Sequence, residues 1–196
     1  TLGALCGAVL LILVYPFTDS VSIAFDRELP ALVSGFHPSE RGPEGYFAWT
    51  ERRAALRLPG LDRRMSWGCA VDLHGGRPDP STLPTITFEV DGVASASIKA
   101  ANGFHRSSFQ VPASQGRRGA TLAIVSDRTF TPGPGDPREL GVMVRSFSCA
   151  PEPGSIVVPP RAARGAAALA AAALGIALGL TGITAGIAAG GTVFLA

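Results

Sequence analysis

Hydrophobic and polar residues are distributed unevenly along this chain. Its two ends are uncharged and largely apolar, over residues 2–17 and 165–196, whereas apolar and polar positions alternate in short runs between them. An apolar run of about 20 residues is long enough for a helix to cross a bilayer, and short alternating runs are typical of half-buried β-strands. The pattern therefore predicts a β domain with an apolar helix on either side.

The middle of the chain contains short segments of strand character and no convincing amphipathic helix. In residues 85–90, for example, Ile86, Phe88 and Val90 fall on one face. The sequence Asp91-Gly92 follows at once and predicts a tight hairpin, because a type I′ turn requires positive φ angles. The candidate strands are 46–50, 54–58, 66–73, 85–90, 93–98, 107–111, 120–125 and 141–149. This spacing predicts an all-β fold, an antiparallel two-sheet sandwich of the jelly-roll type flanked by N- and C-terminal transmembrane α-helices.

The inward face of the last candidate strand stays open. Either Val142 and Val144 point into the core, or Met143 and Phe147 do, because successive side chains of a strand lie on opposite faces.

We expect the chain to be a fragment of a longer membrane protein. The predicted organisation is a transmembrane helix at 1–17, the sandwich at 18–154, a linker at 155–164, a second transmembrane helix at 165–190, and the start of a further segment at 191–196. The first run also fits a signal-peptide core, but no small-residue cleavage site follows it, which favours an uncleaved helix. Glycines in the second run have the spacing that lets other transmembrane helices approach, although such glycines also simply fill membrane helices.

Charge and motifs exclude several functions. The net charge of +2 gives no basic stripe, so nucleic acid is not an expected partner. There is no glycine loop with lysine for phosphates and no nucleophile elbow. The sequence therefore predicts no cofactor and shows no catalytic residue. The histidines are too scattered for metal ligation and predict no metal site: His37, His74 and His105.

The chain has three cysteines. Cys6 lies in the first apolar run, whereas Cys69 and Cys149 lie in separate candidate strands. In an oxidising compartment the latter two can form a disulfide if their strands are neighbours. Two buried free thiols are the alternative.

Several stretches carry a resemblance to a known family. Residues 34–40 (SGFHPSE) are followed by 47–50 (FAWT) and 54–60 (AALRLPG), and residues 130–132 (FTP) precede 136–142 (DPRELGV). Their order resembles the extracytoplasmic sandwich inserted after the first membrane helix of some bacterial multi-spanning glycosyltransferases of the protein mannosyltransferase-like group. The ending is similar to carbohydrate-binding-like jelly rolls attached to such enzymes.

The resemblance implies a location in the bacterial inner membrane, with the sandwich on the extracytoplasmic side. There it would bind or position a glycan or a polyprenyl-linked sugar without catalysing a reaction itself. The partners would be the lipid bilayer and other transmembrane helices of the same protein. A membrane-anchored envelope module without enzymatic activity is the alternative, and a hydrolase using Glu40 and Glu89 is the weakest hypothesis.

Two tryptophans and a histidine are candidate ligand-binding residues. Trp49 and Trp67 have flat apolar rings that suit the C–H face of a sugar, although a strand tryptophan more often packs in the core. His37 precedes Pro38 in a predicted extended bend, where a ligand contact is also possible.

Three charged residues have an expected structural role. Glu40 and Arg138 can pair and join the two ends of the resembling stretches. Asp136, before Pro137, is expected to accept hydrogen bonds from nearby backbone N–H groups in a turn.

Overall fold

The computed structural model describes residue 9 and residues 20–26, 28–117, 119–155, 157 and 161–180. The chain divides into two compact units, one formed by Asp19–Ser155 and the other by Thr1–Thr18 with Ile156–Ala196. The first unit is a β domain, and the second contains the helix α1 (Arg161–Leu180). Within the described ranges, no helix combines the length and apolar character needed to cross a membrane. The predicted span at 1–17 lies almost entirely outside these ranges, as does the end of the span at 165–190.

The β domain contains ten strands and one 3₁₀ turn among its described residues. The strands are β1 (Val21–Ala24), β2 (Val33–Phe36), β3 (Glu40–Gly42), β4 (Gly45–Leu58), β5 (Trp67–His74), β6 (Thr85–Val90), β7 (Val93–Lys99), β8 (His105–Val111), β9 (Ala120–Ser126) and β10 (Met143–Pro151), and the 3₁₀ turn is Pro80–Thr82.

The strands form two antiparallel layers that share β4. In the first layer, called sheet A, β10 pairs with β1, β5 and the start of β4, and β5 pairs with β8. In the second, called sheet B, β2 and β9 flank the rest of β4, and β6 and β7 follow. The hydroxyl of Ser95 on β7 donates to the carbonyl of Gln110 on β8 at 2.7 Å and brings the two open edges together. The predicted all-β sandwich is therefore confirmed.

Aromatic rings from both sheets meet in the core. Phe88 of sheet B stacks on Phe109 of sheet A with centroids 4.7 Å apart, and Phe147 packs against Phe109 at 6.3 Å. Ile86, Phe88 and Val90 are buried, as their alternation predicts. Since full burial of one large apolar side chain contributes about 1.5–3 kcal/mol, this row holds the two layers together.

A β-bulge explains why the inward face of β10 was ambiguous in the sequence. The register of β10 against β5 shifts between Val144 and Ser146. Val142 and Val144 are buried before the shift, and Phe147 is buried after it. A bulge inserts one extra residue, so the side chains after it point to the opposite faces from those expected before it. The first predicted alternative therefore holds before the bulge, and the second holds after it.

The Asp91-Gly92 turn forms as predicted. Val90 and Val93 are register partners, and the two turn residues have φ angles of 53° and 84°. The Asp91 carboxylate accepts a hydrogen bond from Thr121 N at 2.9 Å and pairs with the buried Arg63 at 2.6 Å. The hairpin is thereby tied to β9 and to the loop before β5.

The predicted strand list needs two kinds of correction. The candidate strands at 46–50 and 54–58 are one strand of 14 residues, β4. The short strands β1, β2 and β3 were not predicted, because three or four residues are too few to show an alternating pattern.

Cys69 and Cys149 are joined by a disulfide. They are direct register partners on β5 and β10, with Cα atoms 4.1 Å apart, and both are buried. The sequence left this pairing open because it does not contain the register of the two strands.

Candidate functional site

Both tryptophans lie in the core of the domain. Trp67 is 3% exposed, and its indole N–H donates to the carbonyl of Asp62 at 2.7 Å. Trp49 is 6% exposed and makes edge contacts with Phe47 and Phe130 at 6.2 and 5.6 Å. Neither indole has a free face for a sugar. Both side chains therefore pack in the core, which is the alternative that the sequence left open for a tryptophan in a strand.

Arg138 joins two segments that are far apart in the sequence, residues 34–40 and 136–142. Its guanidinium contacts Glu40 Oε1 at 2.5 Å and holds both carboxylate oxygens of Asp136, at 2.8 and 2.6 Å. The backbone N–H of Arg138 also donates to Asp136, at 3.2 Å. Hydrogen bonds from Arg138 lower the pKa of Asp136 to about 2, and those same bonds raise the pKa of Arg138. These three residues connect β3 to the loop before β10.

His37 lies beside this cluster and is held by the backbone. Its amide donates to the carbonyl of Trp49 at 2.8 Å, and its ring Nε2 lies 3.3 Å from the carbonyl of Glu139. It lines a shallow cleft of about 400 Å³ together with charged residues of both signs. Because these charges are solvent-exposed and mixed, the cleft has no evident selectivity.

A buried arginine at the same end of the sandwich was missed in the sequence. Arg77 donates to the carbonyls of Gly75, Gly141 and Arg128 at 3.1, 2.7 and 3.3 Å, and its guanidinium lies 4.2 Å from the ring centre of Phe130. Burial lowers its pKa. Arg77 therefore links the loop between β5 and β6 to the loop between β9 and β10. No local pattern within its glycine- and proline-rich segment indicates this role.

The strongest candidate site is a groove on the outer face of sheet A. Its volume is about 280 Å³, close to the lower end of the range for small-molecule pockets. Side chains of β5, β8 and β10, with one loop residue, form it. The lining residues are Ala70, Asp72, Phe104, His105, Arg106, Arg145, Ser146 and Ser148.

Small side chains form the floor of this groove. Ser148 on β10 is the register partner of Ala70 on β5, and Ser146 is the partner of Asp72. Since neighbouring positions on both strands point into the core, these residues point outward. The two serines offer hydroxyl groups on this surface.

One wall is a fixed ion pair backed by an aromatic ring. Arg145 contacts Asp72 Oδ2 through Nε at 2.8 Å and Nη2 at 2.6 Å. The Arg145 guanidinium also lies 4.5 Å from the ring centre of Phe104, a cation–π arrangement. His74 packs on the same ring at 5.4 Å. These contacts preorganise the polar groups of the wall.

His74 is held in its neutral form. Its Nδ1 accepts a hydrogen bond from Gly76 N at 2.7 Å. Burial lowers its pKa, and the charge of Glu44 opposes that shift only in part. His74 therefore adds an aromatic contact behind Phe104.

Arg106 crosses the floor from the other side. Its Nη2 donates to Ser148 Oγ at 3.0 Å, reaching from β8 across β5 to β10. Ala70 is only 7% exposed although it faces outward. Within the described part of the chain, Arg106 has no ion-pair partner.

Comparison with known proteins adds a fold likeness only. No family model matches the chain, and no curated protein matches it. The C-terminal CBM6 of LamC, a laminarinase from Zobellia galactanivorans, has a TM-score of 0.42 at 10% identity, with 67% of this chain and 99% of that chain covered. A family 35 carbohydrate binding module from Clostridium thermocellum has a TM-score of 0.44 at 8% identity, with coverages of 66% and 97%.

A third similar structure is the CBM36-1 domain of a xylanase from the hindgut metagenome of Trinervitermes trinervoides. Its TM-score is 0.41 at 7% identity, with 71% of this chain and 100% of that chain covered. Likenesses of this size assign no family and no ligand to this chain.

Proposed function

We propose that the β domain is a non-catalytic module that binds a glycan in the groove on sheet A. The main observation is that Arg106, Arg145, Asp72, Ser146 and Ser148 line one groove on the outer face of sheet A. Sugar hydroxyls both donate and accept hydrogen bonds. The guanidinium groups of Arg106 and Arg145 supply donors, the carboxylate of Asp72 supplies acceptors, and the serines supply both.

The groove lacks the pair of carboxylates that hydrolysis of a glycan needs, among the residues that the structure describes. Glycosidases use two carboxylates on either side of the scissile bond. Among the described residues that line the groove, Asp72 is the only carboxylate, and Arg145 holds it at 2.6 Å. Glu40 is bound to Arg138 and Glu89 to Arg53, on other parts of the domain. The arrangement supports recognition of a glycan rather than its cleavage.

A glycan array tests the proposal. The full chain is applied beside the Arg106→Ala variant and a matched Arg57→Ala variant. Arg57 is an exposed arginine of β4, on sheet B. We expect the chain to bind a subset of glycans, the Arg106 variant to lose them, and the Arg57 variant to keep them. Equal binding by all three proteins, or no binding by the unmodified chain, would overturn the proposal.

The setting of the module is a separate part of the proposal. We propose that the apolar ends anchor the chain in a bacterial inner membrane, with the β domain on the extracytoplasmic side, beside other transmembrane helices of a polyprenyl-phosphate-sugar glycosyltransferase. The Cys69–Cys149 disulfide supports that side, because disulfides persist in oxidising compartments. The alternative setting is an anchored envelope module without an enzyme.

Membrane extraction and protease accessibility test this setting. We expect the chain to stay with membranes after alkaline carbonate washing. We also expect the β domain to be cut by protease added to spheroplasts and protected in inverted vesicles. Release of the chain from membranes by carbonate would contradict the membrane anchor. Protection of the β domain in spheroplasts and its cleavage in inverted vesicles would contradict the extracytoplasmic location.

A further inference from the structure

We infer that the groove selects a sugar that carries an anionic substituent, a carboxylate or a phosphate. This inference rests on the proposed function and names the class of its ligand. Neutral glycans are the alternative that the experiment below separates from it.

The charges of the groove do not cancel. Asp72 and Arg145 lie within 2.6 Å of each other and neutralise one another. Arg106 also lines the groove and, among the described residues, has no carboxylate partner. Among the lining arginines and carboxylates, two arginines against one aspartate leave one positive charge in excess. An anionic group on the ligand would therefore neutralise the excess positive charge of the groove.

The geometry of Arg106 favours a planar or tetrahedral anion. Its Nη2 is oriented by Ser148 Oγ at 3.0 Å. Its Nε and Nη1 atoms make no hydrogen bond to any described residue. Nη2 has a second N–H beside the one that Ser148 accepts, so one pair of adjacent N–H donors remains available to a ligand. Arginine binds carboxylate and phosphate groups through paired N–H donors, and such charge-assisted bonds are roughly twice as strong as neutral ones.

The groove supplies further groups for the rest of the sugar. Ser146 lies on the floor beside Asp72 and can donate its hydroxyl proton to an anion or a ring oxygen. Because Arg145 is held by both Asp72 and Phe104, its position does not depend on the ligand. Arg106 is thus the residue that distinguishes charged from neutral sugars, and Arg145 serves both.

Matched small molecules test the inference on the full chain. Glucuronic acid and glucose differ at one carbon, glucose 1-phosphate presents the phosphate instead, and inorganic phosphate lacks the sugar. Affinities are measured by ligand-observed NMR titration at neutral pH. We expect at least one anionic sugar to bind about tenfold more tightly than glucose, which corresponds to about 1.4 kcal/mol. Whichever of glucuronic acid and glucose 1-phosphate binds more tightly shows whether the preferred substituent is a carboxylate or a phosphate.

Two variants show whether Arg106 causes the difference. In Arg106→Gln the affinity for the anionic sugar is expected to fall to that for glucose, whereas Arg57→Gln should leave it unchanged. Raising the salt concentration should weaken binding of the anionic sugar to the unmodified chain and should have little effect on binding of glucose.

Contrary outcomes separate the inference from the proposed function. Equal binding of glucose and both anionic sugars overturns the inference and leaves the glycan-binding proposal standing. Binding of inorganic phosphate as tightly as glucose 1-phosphate also overturns it, since the sugar would then contribute nothing. If no sugar binds here and no glycan binds on the array, both proposals fail.

Discussion

Arg138 and Glu40 are 98 positions apart in the sequence and form an ion pair at 2.5 Å. The pair connects β3 to the loop before β10, and Asp136 holds the same guanidinium from its other side.

Removal of this guanidinium is expected to destabilise the β domain modestly. The side chains of Arg138 and Glu40 are about one third exposed, so solvent screens their attraction. We expect Arg138→Ala to lower the free energy of unfolding by about 1 kcal/mol, measured as a lower urea midpoint. Arg138→Lys keeps the charge but loses the paired geometry with Asp136. Its urea midpoint should lie between those of the unmodified chain and the Arg138→Ala variant. An unchanged midpoint for Arg138→Ala would contradict the proposed role.

The same cluster predicts a pH dependence below neutrality. The pKa of Asp136 falls from the model-compound value of 3.8 to about 2 in the folded protein, chiefly through hydrogen bonds from Arg138. A carboxyl group with a depressed folded pKa stabilises the fold above its unfolded pKa. That contribution is lost as pH falls through the folded pKa. We therefore expect thermal stability to decline between about pH 4 and 2.

The Asp136→Asn variant is the control for this titration. It lacks the carboxylate and should show a smaller decline over the same pH range. A decline as steep as that of the unmodified chain would assign the pH dependence to other groups.

Gly141 is expected to tolerate no side chain. A Cβ atom placed there would lie 2.6 Å from the carbonyl oxygen of Glu51 and would also meet the hydroxyl of Thr50. Thr50 accepts from Gly141 N and Val142 N, at 2.7 and 2.9 Å, so it cannot move freely. We expect Gly141→Ala to cost about 1–3 kcal/mol or more of stability.

Gly135 provides the matched substitution. A Cβ atom there would meet no atom within 4 Å, so Gly135→Ala should leave the thermal midpoint nearly unchanged. Equal effects of the two substitutions would show that the crowding at Gly141 is relieved by a small shift.

Reduction of the Cys69–Cys149 disulfide should destabilise the domain. The bond closes a loop between residues 80 positions apart, and native disulfides typically contribute about 2–4 kcal/mol by restricting the unfolded chain. We expect a lower thermal midpoint in reductant and in the Cys69→Ala, Cys149→Ala double variant. A Cys6→Ser variant should retain the response to reductant. A midpoint that is insensitive to reductant would show that the bond does not form in solution.

The sequence was sufficient where the signal was local. Residues 85–90 alternate without interruption, and β6 has these bounds. The Asp91-Gly92 turn was equally predictable, because few residues adopt positive φ angles. By contrast, the exposed run Glu51–Arg53 suggested a gap between two strands. The structure shows one strand there, β4, which leaves the edge of sheet A and continues in sheet B.

The candidate site was not predictable because it depends on strand order. Ala70, Arg106 and Ser148 belong to β5, β8 and β10 and are far apart in the chain. Only the register places them on one surface, and no local motif marks them. Trp49 and Trp67 were conspicuous in the sequence, yet their large apolar rings are buried. The sequence alone left this alternative open.

The most direct test of the account is to fill the groove. Ser148→Leu places a large apolar side chain on the floor, whereas Ser97→Leu places the same side chain on an exposed position of β7. Both variants are measured for binding of the glycan that the unmodified chain binds best on the array, with thermal midpoints recorded to confirm folding. We predict that Ser148→Leu folds and loses binding while Ser97→Leu retains it. Full binding by a folded Ser148→Leu protein would contradict the assignment of the groove.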